Sequence, residues 1–284
     1  MAHGVIYLVP VPIGNLGDIT LRAIDTLKAA DLIACEDTRK TSFLLSQYKI
    51  PCPKLISFHK FNERQREDVL FEHVKMGKDL VVVSDAGSPG ISDPCEKLVT
   101  LAVSQGIQVI ALPGASALIP AITTSGFPTQ HFQFAGFMPT EAHKRRSKIL
   151  EISMYPYPTV IYEAPHRILE HLIELKEVCG NRKVYLCREI SKMHEEHISG
   201  TLESLIENRE LTIKGEFVVV LEGCEPIETY IGEFKQTDIN YHIYKCLKSG
   251  MGTREISMEI AGVFNLTRSN AYKMVLDYLK AAKR

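Results

Sequence analysis

The sequence predicts an α/β protein: two successive α/β units followed by a small helical segment. Three observations carry that prediction. Short β-branched runs alternate with helical patterns through the first part of the chain. The pattern resets around Phe137-Met138-Pro139, and a second set of strands and helices follows. Beyond residue 238 only helical spacing remains. The predicted units are therefore 1–137, 138–224 and 238–284, with 224–237 as a linker. A chain of 284 residues suits about two domains of ~100–200 residues each.

Val5 to Val11 reads as the first strand and runs into the loop Pro12-Ile13-Gly14-Asn15-Leu16-Gly17. Asp18 is placed to cap a helix in which Leu21, Ile24 and Leu27 recur at helical spacing. Leu32 to Cys35 reads as a strand, and Thr38 to Tyr48 and Glu63 to Met76 read as helices. Asp79 to Ser84 is a continuous apolar run after its first residue, as expected of a strand buried on both faces. A Gly- and Pro-bearing loop, Asp85 to Pro94, comes next. A helix, the strand Gln108 to Leu112 and the turn Pro113-Gly114-Ala115-Ser116 follow. This alternation predicts a mostly parallel sheet. In the second unit, Thr159 to Tyr162, Lys183 to Cys187 and Glu216 to Glu222 read as strands. Pro165 to Val178 reads as a helix and Glu196 to Thr201 as part of a hairpin. In the tail, Glu255 to Ala261, the turn Phe264-Asn265-Leu266-Thr267 and Ser269 to Leu279 have the cadence of a helix-turn-helix.

Apolar residues make up 45% and charged residues 24% of the chain, which excludes a disordered or collagen-like protein. The formal net charge of −1 provides no bulk attraction to nucleic acid or acidic lipid. The charge is unevenly spread, however. Residues 235–284 hold nine Lys and Arg against four Asp and Glu, whereas residues 1–234 hold 24 against 30. Such asymmetry points to a polyanion-facing tail. The seven cysteines form no Cys-x-x-Cys pair and read as reduced thiols of a cytoplasmic protein. Met1 to Gly4 carry no Lys or Arg, and Pro10, Pro12 and Gly14 interrupt the apolar run behind them, so no signal peptide is expected. The longest apolar stretch, Val109 to Ile122, holds two prolines and falls short of the ~20 residues of a membrane helix. No membrane partner is expected.

Three Gly- or Pro-bearing loops follow three predicted strands: Pro12 to Gly17, Asp85 to Pro94 and Pro113 to Ala117. Ligands of open parallel sheets bind beyond the carboxyl ends of the strands, so the three loops together predict one shared pocket. Any one loop alone reads better as a plain turn; the three together at strand ends, with Asp85 and Asp93 in one of them, favour a site. Neither Gly-x-Gly-x-x-Gly nor Gly-Lys-Ser/Thr occurs, which argues against dinucleotide and P-loop chemistry. Gly114-Ala115-Ser116-Ala117-Leu118 lacks the second glycine of a nucleophile elbow. His194 and His197 are three residues apart rather than four, and that stretch reads as solvated polar surface. No metal is predicted.

Several segments carry a resemblance. They are Tyr7 to Thr20 (YLVPVPIGNLGDIT), Glu36-Asp37-Thr38-Arg39, Ser84 to Pro94 (SDAGSPGISDP), Pro113 to Ala117, Tyr162-Glu163-Ala164-Pro165-His166-Arg167 and Arg188-Glu189. Together they resemble the tetrapyrrole methylase superfamily, and within it the branch that methylates small-subunit ribosomal RNA. The resemblance spans essentially the whole chain, basic tail included. It implies two α/β domains with an S-adenosylmethionine cleft between them, and a homodimer. It further implies 2′-O-methylation of a cytidine in the decoding region of 16S ribosomal RNA, with that RNA or the small ribosomal subunit as partner. It maps cofactor contacts onto Ile13, Gly14, Asp85, Ser88, Ser116, Ala117 and Tyr162, with Gly215-Glu216-Phe217 as a further segment. The porphyrin-acting branch usually carries Gly-Asp-Pro where this chain has Ser84-Asp85-Ala86. That departure weakens a corrinoid or sirohaem role, and tetrapyrrole C-methylation stands as the alternative activity.

A ribose hydroxyl is a weak nucleophile and needs a positioned base or a cation. Candidates are Glu36, Asp37 and Arg39 after the second strand, Glu163, His166 and Arg167 at a strand-to-helix junction, and Arg188 with Glu189 at another strand end. Arg188-Glu189 reads equally as an ion pair. Glu163 and His166 are favoured because a helix start beside Pro165 suits an anion. His59 is a further candidate for RNA contact. RNA also needs cations at its phosphates. Lys144, Arg145, Arg146 and Lys148 offer one cluster, and Arg254, Arg268 and Lys273 in the tail offer another.

Overall fold

The computed structural model describes residues 3–59, 61–93, 95–224, 230–231 and 234–282. Five short apolar strands pair side by side in the first unit: β1 (Ile6–Leu8), β2 (Leu32–Cys35), β3 (Lys54–Ser57), β4 (Leu80–Val83) and β5 (Val109–Ala111). All are parallel, in the order β3-β2-β4-β1-β5. The parallel sheet predicted from the alternation is present, with β3 as an additional edge strand. Helices α1 (Leu21–Ala29), α2 (Thr38–Gln47), α3 (Glu63–Lys75) and α4 (Glu96–Ser104) connect the strands. Because side chains alternate along a strand, the sheet has two apolar faces. Ile6, Ala34, Leu80 and Val82 pack with Leu70, Val74, Leu98 and Ala102 of α3 and α4. Ile33, Val81 and Val83 pack with Ala23, Leu27 and Leu45 of α1 and α2.

One cap differs from expectation. Thr20, not Asp18, caps α1, its hydroxyl accepting from the Ala23 N–H at 3.0 Å. Residues Leu16–Asp18 form a 3-10 turn instead, and the Asp18 carboxylate accepts a hydrogen bond from the Ser191 hydroxyl of the second unit. A tertiary partner has taken the side chain that local spacing assigned to the helix.

After β5 comes α5 (Leu118–Thr124). The second sheet comprises β6 (Gln133–Phe137), β7 (Thr159–Glu163), β8 (Lys183–Arg188), β9 (Glu196–Thr201) and β10 (Phe217–Leu221), in the order β6-β7-β10-β8-β9. Only β6 and β7 run parallel; the other pairs are antiparallel. β6 pairs within this sheet, so the first unit ends before Gln133 rather than at residue 137. One face is covered by α6 (Ala142–Ser153), α7 (Ile168–Cys179) and α8 (Leu202–Glu207), through Ile149, Leu172, Leu175, Leu202 and Leu205. On the other face Val160, Tyr185, Val218 and Val220 pack with Ala121 and Ile122 of α5, and Ile13 of the first loop joins them. That shared apolar cluster fastens the two units together.

Half of the predicted linker, 225–229 and 232–233, lies outside the described residues. Its remainder includes a two-residue ladder between β11 (Tyr230–Ile231) and β12 (Phe234–Lys235). The tail folds as α9 (Gln236–Lys248), α10 (Thr253–Val263) and α11 (Arg268–Ala281) around its own core of Ile239, Ile243, Ile256, Ile260, Ala271 and Val275. It docks on the second unit. Lys248 donates to Glu151 at 3.0 Å, the Tyr278 hydroxyl meets Met154 Sδ at 2.7 Å, and the Tyr241 and Tyr155 rings lie edge to face. No helix among the described residues is long and apolar enough to cross a membrane.

Candidate active site

The strand order creates the site. β1 and β4 are neighbours, yet the loop after β1 leads to α1 on one face of the sheet and the loop after β4 leads to α4 on the other. The loops part there and leave a crevice at the carboxyl ends, where open sheets bind ligands. Two backbone bonds of 2.9 Å between Val11 and Gly87 tie the diverging loops together. Gly87 sits at φ +74°, a region open to glycine. The Ser88 hydroxyl donates to the Ala115 carbonyl at 3.1 Å and so anchors the third loop beside the second. Gly114 lets that loop pass close to β1, since a Cβ there would lie 2.6 Å from Pro10. All three predicted loops thus meet.

Above them lies a cleft of about 560 Å³ whose far wall belongs to the second sheet. Ile13, Asp85, Ser88, Ser116, Ala117 and Tyr162 line it, together with Glu163, His166 and Glu216. Gly14 is not a lining residue. It packs against the second unit, where a Cβ would lie 2.3 Å from Lys192 Cγ. Ile190 and Val218 complete the apolar wall, and nothing in their sequence context marked them.

The Asp85 and Asp93 carboxylates form the floor, and Glu36 lies near them outside the lining. Burial, then repulsion from Glu36 and Asp85, pushes Asp93 up to about 7, opposed by the Ser84 hydroxyl. Burial also raises Glu36, with Asp85 adding to the effect. Asp85 accepts from the Asp37 N–H at 3.1 Å and from Lys40 Nζ at 2.7 Å, and this holds the lysine ammonium above its ordinary range. Asp93 figured in the sequence with Asp85 as an acid of the second loop; its raised proton affinity is first a product of burial. Lys40 carried no signal beyond following Arg39.

A second cavity, also about 560 Å³, opens on the other side of Asp85. Pro12, Asp37, Arg39, Lys40, Phe43 and Ser84 are among the residues that line it. Here Arg39 forks onto Asp37, with Nε and Nη2 donating at 3.1 and 2.7 Å. That pairing holds the Asp37 carboxyl well below the usual range.

Glu163 lines the cleft but is 1% exposed at its side chain. Its carboxylate accepts from the Ala164 N–H at 2.8 Å, contacts Arg167 Nη2 at 3.2 Å and meets His171 Nδ1. All of this braces the turn that carries His166. That turn precedes α7, which begins at Ile168, so His166 does not stand within the helix as predicted. Arg188 pairs with Glu196 at 2.8 Å, and Glu189 pairs with Lys192 at 2.7 Å and accepts from the Glu216 N–H. Neither lines the cleft. His59 supports its own turn, its ring nitrogen accepting from the Phe61 N–H at 3.3 Å.

The basic clusters also sort themselves. Arg145 turns inward: it is 7% exposed, bonds to Glu170 and Glu174 and donates to two backbone carbonyls. Lys144 pairs with Glu141 at the N-terminal end of α6, Lys148 pairs with Glu151 on the same helix, and Arg146 is exposed. Arg254, Arg268 and Lys273 are exposed on the tail.

The pattern of the family described as Tetrapyrrole (Corrin/Porphyrin) Methylases matches residues 5–206. A Halalkalibacterium halodurans protein named Ribosomal RNA small subunit methyltransferase I is 40% identical over 276 residues, covering 95% of this chain and 94% of its own. The chain belongs to the ribosomal RNA small subunit methyltransferase I branch of the tetrapyrrole methylases. A Vibrio cholerae member is 38% identical over 282 residues, covering 97% and 95% of the two chains. Among solved structures, uroporphyrin III C-methyl transferase of Thermus thermophilus superposes with a TM-score of 0.55 at 18% identity, covering 76% of this chain and 97% of its own. A structure of that enzyme complexed with S-adenyl homocysteine superposes at 0.54. Diphthine synthase reaches 0.59 at 13% identity, covering 77% of this chain and 90% of its own. At these identities the structural likeness shows the shared fold.

Proposed function

We propose that the chain transfers a methyl group from S-adenosylmethionine to the 2′-hydroxyl of a cytidine in the decoding region of small-subunit ribosomal RNA. One observation carries the reading. The likeness to relatives named for that RNA runs over 95% of the chain and so takes in the basic helical tail. The porphyrin enzyme's likeness covers 76%.

The cleft fits such a cofactor. Its volume lies in the ~300–1,000 Å³ range of small-molecule sites. Ile13, Ala117 and Val218 offer apolar contact, Ser88 and Ser116 offer polar contact, and the carboxylates at the floor suit a sulfonium cation. When bound, S-adenosylmethionine supplies an electrophilic methyl group whose transfer to the hydroxyl leaves a thioether and a proton. Asp93, poised near neutrality, is the group on the cleft wall suited to accept that proton. Lys40 balances the neighbouring Asp85 charge. Arg268, Lys273 and Arg254 supply phosphate contacts. The same reading takes the chain as a cytoplasmic homodimer, which sedimentation checks.

The test is methyl transfer from radiolabelled S-adenosylmethionine to purified small ribosomal subunits, with a tetrapyrrole precursor as parallel acceptor. Label at one ribose, resistant to alkaline hydrolysis at that linkage, is expected. Label in the tetrapyrrole with none in RNA would establish the alternative activity.

A further inference from the structure

In-line methyl transfer requires the acceptor oxygen about 3–3.5 Å from the methyl carbon. The acceptor must therefore enter through a space that adjoins the cofactor cleft. The second cavity does so: it lies on the same sheet edge, has a similar volume and shares Asp85 with the cleft. We propose that this cavity is the acceptor subsite, receiving one extruded nucleotide of an RNA strand, with the base against Phe43 and the adjoining phosphate on Arg39. The inference rests on the RNA methylation proposed above.

The lining supports that occupant. Phe43 stands on α2 with 64% of its surface exposed, an uncovered aromatic face at the cavity wall. Stacking on such a face is how proteins hold an unpaired base of any sequence. The Arg39 side chain is 89% exposed, yet Asp37 orients it through two hydrogen bonds. Two of its five N–H donors are engaged there, which leaves three for a phosphate. The cavity charges cancel in pairs, Arg39 with Asp37 and Lys40 with Asp85. A neutral, polar, aromatic-walled space suits a base and ribose better than a bare polyphosphate. The phosphate contact then falls to the outer edge of Arg39. The Lys40–Asp85 pair lies at the boundary with the cofactor cleft, where the ribose hydroxyl has to sit. A nucleotide reaches such a recess only when splayed out of its stack, as single-stranded loops allow.

The experiment compares the native chain with Arg39→Ala, Phe43→Ala and Phe43→Tyr, measuring KM for small ribosomal subunits and, by calorimetry, the affinity for S-adenosylmethionine. Both alanine variants are expected to raise KM about tenfold with cofactor affinity unchanged, and Phe43→Tyr to stay near native because it keeps the stacking face. These positions are exposed, so loss of folding is not expected, and unchanged cofactor affinity verifies it. A native KM in both alanine variants would overturn the subsite while the methylation reading stands. A sedimentation shift in Phe43→Ala would assign the ring to a contact between copies of the chain and would also overturn it. If the native chain methylates no RNA, the proposed function falls and takes this subsite with it.

Discussion

Asp93 shows how one residue acquires a property from its surroundings. Burial and the nearby Glu36 and Asp85 carboxylates disfavour its charged form and move it up to about 7, while the Ser84 hydroxyl opposes the shift and Tyr162 faces it from β7. The raised value means Asp93 holds its proton below neutrality and can accept one above it. Methyl transfer at saturating cofactor should therefore rise with pH through about 7, and Asp93→Asn should lose that rise; a pH–rate profile of both proteins decides it. Glu163 is the contrasting case, a buried carboxylate spent on architecture. Removing one partner of a buried ion pair costs about 3–5 kcal/mol. Glu163→Ala, which strands Arg167 and His171, should destabilise the fold on that scale in denaturant unfolding. Gly114 is constrained by space: Gly114→Ala forces a Cβ onto Pro10 and should displace the loop bearing Ser116. Overpacking of this kind costs about 1–3 kcal/mol, and calorimetry should show cofactor affinity weakened about tenfold.

At the scale of elements, α11 presents Arg268, Ser269, Asn270, Tyr272 and Lys273 to solvent while Ala271 and Val275 hold it to the tail core. This is the face the basic excess of the tail would present to RNA. Each phosphate contact adds about 0.7 to the salt slope of single-strand binding. The double substitution Arg268→Ala with Lys273→Ala should therefore lower the slope of log affinity against log salt by about 1.4, with cofactor affinity unchanged; a slope equal to the native one would exclude both residues from phosphate contact. Helix α6 teaches the opposite lesson. Its run KRRSK is uniform in sequence, but helical geometry turns Arg145 into the α6–α7 interface and leaves Arg146 outside.

At the scale of the molecule, two sheets meet through one apolar cluster, with Ile13 and α5 lying across the second sheet. The cleft exists because of that meeting, since its near wall comes from the three loops and its far wall from β7 and β10. The tail has a separate core and touches the second unit through a few contacts. Removing residues 238–284 should lower RNA affinity and leave cofactor affinity near native, checked by filter binding and calorimetry respectively.

The sequence by itself determined the alternating strands and helices, the glycine loops at strand ends and the helical tail. Those features depend on local periodicity and on backbone freedom at glycine, both of which operate over a few neighbouring residues. It also carried the family, through motifs that cover the loops. Only the tertiary structure decided that β6 belongs to the second sheet, that Thr20 displaces Asp18 as a cap, and that Arg145 and Glu163 are buried in ion pairs. The same holds for Asp93, whose proton affinity is raised first by burial and then by Glu36 and Asp85, 57 and 8 positions away. Strand pairing, burial and the summed field of distant charges join residues far apart in the chain, and no local pattern encodes which partners will meet.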